Sequence, residues 1–154
     1  MVLSGFISVE AIVNQLFGGI MGGYRKAIMA LDPNPAYNCH CSVDSLGNSK
    51  AQILLVYSDN DKLVGKAAHF DVLKSALSHK ENIRFLLVHN KGHNPNYTED
   101  AVKYLGEYSS AVAKQRKKLK TADQKKAFRD SWDWNRMTAQ DEAVWAEIFK
   151  TLDT

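Results

Sequence analysis

Two short polar segments of this sequence each follow an apolar run, and both contain side chains that can hold or transfer a proton. Residues 58–64 include Asp59 and Asp61, and residues 90–95 include His93. In an open α/β sheet the carboxyl ends of the parallel strands form one edge, and sites are built there. We therefore expect an aspartate and His93 to lie close together. A carboxylate that accepts a hydrogen bond from imidazole fixes its tautomer and stabilises the imidazolium formed during proton transfer.

The apolar runs predict the strands that position these segments. Gln52–Ser58 and Ile83–His89 are apolar without alternation, which is typical of parallel strands covered by helices on both faces. Between them, Ala67–Lys80 has its apolar residues at helical spacing, so the order predicts a right-handed βαβ unit. We expect an α/β fold with two core parallel strands, at about residues 52–58 and 83–89, flanked by about five helices.

A helical region precedes the first predicted strand. Helical spacing of apolar residues extends from Ile7 to Leu31, and the glycine pairs inside it predict one bent helix or two consecutive helices. Pro33 and Pro35 end this helical stretch, because proline cannot continue a helix. Residues 36–52 are expected to form a loop with one short turn of helix.

Two threonines predict where later helices begin. Thr98, followed by Glu99 and Asp100, has the pattern of an N-cap with acidic residues in the first turn. Thr138 repeats the signal before the apolar stripe of the last helix. The segment Trp132–Met137 between them is expected to be a turn held by its aromatic side chains.

The order strand, Ser58-x-x-Asp61-x-x-Val64, helix, strand, Gly92-His93 resembles the C-terminal part of an α/β-hydrolase of the serine hydrolase type. In that family the acid of the catalytic triad follows the penultimate core strand and the histidine follows the last one. The resemblance implies that Asp61 is the acid and that His93 is the general base.

The same resemblance implies a division of the chain and leaves a second choice for the acid. Residues 1–50 correspond to a cap-like helical segment, and residues 51–118 correspond to the C-terminal βαβα unit. Residues 119–154 are a helical extension on which the resemblance is silent. Asp59 is the alternative acid, and no substrate-binding residue is identified.

The serine nucleophile of the family has no counterpart in this sequence. Residues 18–24 carry glycines where G-x-S-x-G-G has them, but Ile20 stands at the serine position. The family order places the elbow before the cap, so the sequence is expected to begin after it. Four other serines lie outside any elbow-like setting: Ser8, Ser42, Ser45 and Ser58. We therefore expect a hydrolase of esters, lipids or peptides that is inactive alone and takes an ester-like small molecule only when the missing segment is supplied.

A second hypothesis is a non-catalytic domain that binds a second copy of itself. Two strands make a poor sheet, and an open apolar edge pairs readily with another chain. Most soluble homo-oligomers have two-fold symmetry. This hypothesis predicts a homodimer formed through sheet edges or exchanged helices.

The remaining histidines and the cysteines are given lesser roles. His89 is expected to cap its strand or to pack beneath the site. A metal site built from Cys39–Cys41 with His89 or His93 matches no structural zinc spacing, and neither cysteine follows a strand as an elbow nucleophile does. We therefore expect no metal and no cofactor. Three histidines are expected at the surface: His40, His69 and His79.

Composition limits the class of protein. The chain has 154 residues, of which 45% are apolar and 24% charged, and this content favours a globular fold over a disordered chain. No apolar run approaches the roughly 18 residues of a membrane span. The N-terminus lacks the basic start of a signal peptide, and two close cysteines make no disulfide framework. We expect a cytoplasmic chain that does not bind membranes.

The formal net charge of +3 is mild, but its excess is concentrated in one segment. Asp123 is the acid within that segment, and no aromatic residue alternates with its lysines to stack on nucleic-acid bases. A solvated helix face is therefore favoured over a nucleic-acid surface. The basic residues are Lys114, Arg116, Lys117, Lys118, Lys120, Lys125 and Lys126.

Overall fold

The computed structural model of the chain describes residues 1–17, 27, 30–31 and 41–152. The strands of this part are β1 (Val2–Leu3), β2 (Ile53–Ser58) and β3 (Ile83–Val88). Its helices are α1 (Val9–Phe17), α2 (Ser42–Asn48), α3 (Phe70–Leu77), α4 (Glu99–Gln115), α5 (Ala122–Asp130), α6 (Trp134–Met137) and α7 (Glu142–Leu152). The predictions made for residues 18–24, Pro33, Pro35, Cys39 and His40 lie outside the described residues.

The described strands form a small parallel sheet in the order β1-β2-β3. β2 and β3 pair in parallel along their whole length, from Ile53 opposite Ile83 to Ser58 opposite Val88. This confirms the α/β class and both predicted strands. The predicted numbers of two strands and about five helices were too low, because β1 also pairs in parallel with β2 and the described residues form seven helices. A strand of two residues is too short to give a periodic signal in the sequence.

β2 lies at the centre of the fold, and all six of its residues are buried. Its Leu55 and Tyr57 face a core that includes Phe70 and Leu73 of α3. Alternate side chains point to opposite faces of a sheet, so Leu54 and Val56 face the other side. There they pack against α7, through Val144 and Ile148. The C-terminal helix therefore packs on its own chain and covers the second face of the sheet.

Two helix starts test the predicted caps. The side chain of Thr98 accepts a hydrogen bond from the backbone N–H of Ala101, which confirms it as the N-cap of α4. The prediction for Thr138 was wrong, because Thr138 follows the end of α6. Asp141 Oδ1 instead accepts the N–H groups of Ala143 and Val144 at the start of α7. A carboxylate is favoured there because it also meets the positive end of the helix dipole.

The segment 116–137 packs against α4 through aromatic side chains. Tyr108 of α4 lies 5.9 Å from Phe128 of α5 in a stacked arrangement. Trp132 and Trp134 each contact Tyr108 edge-on, with ring centroids 5.3 and 5.5 Å away. The expected turn at residues 132–137 contains the short helix α6, and its aromatic side chains hold α5 against α4. Across the described ranges, no helix combines the length and the apolar character that crossing a membrane requires.

Candidate active site

Residues 58–64, here called the acid loop, lie at the end of β2 and turn the carboxylate of Asp61 inwards. Asp61 Oδ1 accepts hydrogen bonds from the backbone N–H groups of Leu63, at 2.8 Å, and Val64, at 3.0 Å. The side chain of Asp61 is fully buried. Two backbone N–H groups of the loop thus hold one carboxylate oxygen, which orients the second oxygen, Oδ2, towards the neighbouring loop.

Residues 90–95, here called the histidine loop, follow β3 and place His93 beside Oδ2 of Asp61. His93 Nδ1 lies 2.9 Å from Asp61 Oδ2. Because a carboxylate can only accept, Nδ1 carries the proton and Nε2 is the free nitrogen of the neutral ring. Asn90 and Gly92 both have positive φ, +58° and +55°, which turn the chain sharply between β3 and His93. The predicted juxtaposition of Asp61 and His93 at one sheet edge is present.

Polar side chains of the acid loop also fix the histidine loop. The hydroxyl of Ser58 donates to Asn60 Oδ1 at 2.8 Å and accepts the N–H of Lys91 at 3.0 Å. Asn60 Oδ1 in addition accepts the N–H of Gly92 at 2.8 Å. Sequence reasoning missed these roles, because they depend on the register of β2 against β3. Together they set the distance between the two loops before any ligand binds.

The C-terminal extension contacts the histidine loop through an ion pair. Lys91 is buried, and its Nζ lies 2.7 Å from Asp141 Oδ2. The hydrogen bond from Lys91 lowers the pKa of the Asp141 carboxyl. Because Asp141 is also the cap of α7, this pair joins the start of that helix to a residue two positions before His93. No sequence motif marks this contact.

A second aspartate–histidine pair lies on the same edge. His89 Nδ1 is 2.7 Å from Asp59 Oδ2, and Asp59 Oδ1 accepts the N–H of Asn90 at 3.0 Å. The hydrogen bond from His89 lowers the pKa of Asp59. Asp59 therefore does not face His93, which removes it as the alternative partner of that ring. The expectation that His89 packs beneath the site was wrong, because its side chain is exposed.

His69 was predicted at the surface, and the structure contradicts this. Its side chain is fully buried at the start of α3. Nδ1 accepts the N–H of Ile7 at 3.2 Å, so Nε2 carries the proton and donates to Gln15 Oε1 at 3.0 Å. Burial lowers the pKa of His69. Gln15 in turn donates to the carbonyl of Leu63 at 2.9 Å, so this neutral histidine supports the acid loop. His79 is exposed, as predicted.

An apolar cleft of about 540 Å³ lies beside the pair, with His93 in its wall. Three of the large apolar side chains that line it, Phe6, Leu16 and Leu63, are about half exposed. Its other lining residues are Ser4, Gly5, Ile12, Ser42 and Val64. An exposed apolar surface grouped around an imidazole is suited to an apolar ligand.

Ser4 is a residue of the cleft that the sequence did not single out. It follows β1 directly, has a positive φ of +44°, and is 5% exposed. Its hydroxyl has no hydrogen-bond partner among the residues that the structure describes. A non-glycine residue with positive φ is uncommon, and a buried hydroxyl is normally paired, so both features mark the position. The other cleft serine, Ser42, donates its hydroxyl to the carbonyl of Phe6 at 2.9 Å.

Tyr57 supports the turn that contains Gly5, a residue of the cleft wall. Its phenol donates to the carbonyl of Gly5, which ties β2 to the turn after β1. Burial, with the nearby charge of Asp61, raises the pKa of Tyr57 to about 12. The phenol is therefore a proton-bearing structural group at neutral pH.

Within the described ranges, no group of three or more metal-ligating side chains comes together. Cys41, the cysteine that these ranges contain, is a free thiol. Comparisons with protein-family models, with curated proteins and with solved structures gave no match.

Proposed function

We propose that this chain carries the acid–base half of an acyl-hydrolase site, with Asp61 as the orienting acid and His93 as the general base. The observation that carries the proposal is the 2.9 Å contact between a fully buried carboxylate and an imidazole that lines an open apolar cleft. A structural ion pair has no need of a ring nitrogen on a cleft wall. A general base does, because its free nitrogen must meet the attacking group.

The geometry supports different chemical roles for Asp61 and His93. Nδ1–H of His93 stays on Asp61, so Nε2 takes a proton from an attacking hydroxyl as its oxygen bonds to the acyl carbon. The imidazolium formed then gives that proton to the leaving alcohol, and Asp61 remains ionised throughout. The buried carboxylate favours the charged ring more strongly than an exposed one would, because water screens it less.

The resemblance of residues 58–64 and 92–93 to an α/β-hydrolase supports the same assignment. No serine hydroxyl of the described residues hydrogen-bonds His93 Nε2. The hydroxyl that this histidine serves in a serine hydrolase is therefore not among the contacts of His93, and the activity of the chain by itself is expected to be weak. An ester with an apolar acyl group fits the cleft best.

The test is hydrolysis of p-nitrophenyl butyrate by the full chain, with water as the final acceptor. We expect a slow reaction that His93→Ala reduces to the rate of the unfolded chain and that Asp61→Asn lowers by about tenfold or more. His89→Ala is the matched control, because His89 also pairs with an aspartate at this edge but does not line the cleft. Equal losses in His93→Ala and His89→Ala would contradict the proposal.

A fluorophosphonate probe tests the part of the proposal that concerns the nucleophile. Because no hydroxyl is activated by His93 in the described residues, we expect no labelled serine after incubation with the probe. A serine labelled in the native chain but not in His93→Ala would show a complete triad and would overturn this part. The same result would support His93 as the base that activates the labelled serine.

Self-association is the second candidate function, and the sheet supplies its support. In the described part of the chain, β1 and β3 are edge strands that pair with β2 alone. An open edge offers backbone donors and acceptors to a second copy. Sedimentation at micromolar concentration tests this candidate, since a dimer is expected and a stable monomer would contradict it.

A further inference from the structure

The positive charge of the chain is concentrated next to a pocket that the site above does not use. Eight of the sixteen residues from 114 to 129 are Lys or Arg, and Asp123 is the only acid among them. Outside this segment acidic residues outnumber Lys and Arg, so the whole net positive charge of the chain lies here. A cluster of one sign raises the local concentration of ligands of the opposite sign.

The structure folds this segment around a concave surface. A pocket of about 390 Å³ lies between the end of α4 and α5. Its apolar walls come from Tyr108, Val112, Leu119, Ala122 and Phe128. The rings of Tyr108 and Phe128 lie 5.9 Å apart in a stacked arrangement. The volume is that of a small-molecule site, and it is too small for a folded protein segment.

Three cations line the same pocket: Arg116, Lys125 and Arg129. None of the three forms an ion pair with a carboxylate in the part of the chain that the structure describes. Neighbouring cations do find partners, since Lys126 pairs with Asp130 and Arg136 pairs with Asp100. The two arginines among them are suited to an anionic ligand, because a guanidinium can bind a carboxylate through two hydrogen bonds.

We propose that this pocket binds a small organic anion with an apolar body, such as a medium-chain carboxylate. The apolar walls would take the chain, and Arg116, Lys125 and Arg129 would take the charged group. A nucleic acid is disfavoured, because no aromatic residue lies among the basic residues of 114–126 to stack on bases. This proposal does not depend on the proposed hydrolase function, since none of its residues lies in the His93 cleft.

The test is calorimetric titration of the full chain with decanoate below its micelle concentration. We expect one site, with binding that weakens from decanoate to hexanoate and is undetectable for acetate, because the apolar walls contribute through buried area. Decanol has the same chain without the charge, and we expect it to bind at least about tenfold more weakly. Equal binding of decanol and decanoate would overturn the ionic half of the proposal.

Variants separate a defined site from diffuse attraction. The double variant Arg116→Gln, Arg129→Gln is expected to weaken decanoate binding by about tenfold. The matched control is Lys117→Gln, Lys118→Gln, which removes the same charge from the same segment but does not touch the pocket. A control that weakens binding as much as the pocket variant would overturn the proposal. Because all four side chains are exposed, both variants should fold, which circular dichroism verifies.

A membrane surface is the other source of such an anion, and a second measurement distinguishes it. Vesicles of phosphatidylglycerol and of phosphatidylcholine are mixed with the chain and separated by sedimentation. We expect monomeric decanoate to bind and to be displaced from the pocket by neither vesicle type. Binding to phosphatidylglycerol vesicles without any binding of monomeric decanoate would overturn the proposal in favour of a membrane surface.

Discussion

The two aspartate–histidine pairs at the sheet edge are nearly alike in distance and very different in surroundings. The Asp59–His89 contact is 2.7 Å and the Asp61–His93 contact is 2.9 Å. Yet the Asp59 carboxylate is 33% exposed and its histidine 74% exposed, whereas the Asp61 carboxylate is 0% exposed and its histidine 44% exposed. Separation alone therefore does not identify a site. What distinguishes the pairs is the desolvated acid and the cleft that His93 lines.

The loops explain how two residues of one segment reach such different environments. Asp59 comes immediately after β2 and accepts an N–H from the facing loop, at Asn90, so its carboxylate remains at the rim. Asp61 accepts two N–H groups from its own loop, which turns the carboxylate under the chain. The contacts of Asp59 join two loops at a solvent-exposed position. The contacts of Asp61 hold a carboxylate charge where water does not reach it, so its hydrogen bonds are stronger.

Replacing each aspartate by alanine gives the largest expected difference between the pairs. Asp61→Ala leaves one buried N–H, one partly buried N–H and an imidazole without their acceptor, so we expect a loss of about 3 kcal/mol in the free energy of unfolding. Asp59→Ala is expected to cost much less, because water can replace its exposed contacts. Urea denaturation measures both. Comparable losses would show that the two carboxylates are equivalent.

Asp61→Asn refines the same comparison. The amide oxygen can still accept from Leu63 and Val64, so most of the stability should remain. Its uncharged end cannot stabilise an imidazolium, so ester hydrolysis should fall even where folding does not. A variant that is as unstable as Asp61→Ala would contradict this account, because the charge of Asp61, and not its acceptance of the loop N–H groups, would then stabilise the fold.

The sequence was informative where a pattern repeats. The unbroken apolar runs of β2 and β3 located both strands, and the order of their polar ends brought Asp61 and His93 together. The Thr98 cap was equally visible, since a cap needs only a few consecutive residues. Each of these features depends on contacts that are local or that follow from the direction of parallel strands.

The features that escaped prediction depend on contacts between distant residues. β1 has two residues, and only its pairing with β2 makes it a strand. His69 looks like a surface residue until Ile7 and Gln15 enclose it. Asp141 shows its second role only when α7 packs on the sheet and places it beside Lys91. The spacing of residues along the sequence does not indicate these contacts.

Lys91→Met is expected to have the next largest effect. The methionine fills much of the lysine's volume but leaves Asp141 unpaired, and we expect a loss of about 1–2 kcal/mol at neutral pH because Asp141 is partly exposed. Lys91 lowers the pKa of Asp141 below its usual 3.8, so the pair stabilises the fold above that pH. The difference between the native chain and the variant should therefore shrink as pH falls below about 4. A difference that is constant with pH would contradict this account.

His69 provides a smaller effect in a separate pH range. Burial lowers the pKa of His69 from 6.5. Just below pH 6.5, His69 is therefore protonated more in the unfolded chain than in the folded chain. Its contribution to stability is complete above about pH 6.5 and is lost progressively as pH falls below that value. His69→Gln should flatten the unfolding free energy between pH 5 and 6.5, as followed by urea denaturation. An unchanged slope would contradict this account of His69.

Ser4→Ala is expected to have the smallest effect and the opposite sign. A buried hydroxyl without a partner among the described residues costs free energy, so its removal should stabilise the chain by up to about 1 kcal/mol, or raise Tm by about 2 °C. Ser8→Ala is the control, because the Ser8 hydroxyl accepts the N–H of Ala11 at 3.1 Å and its loss should destabilise α1. A clear loss of stability in Ser4→Ala would show that this hydroxyl is bonded in the folded chain. The cleft would then offer a bound ligand His93 as its main polar group, which would sharpen the contrast with the exposed His89.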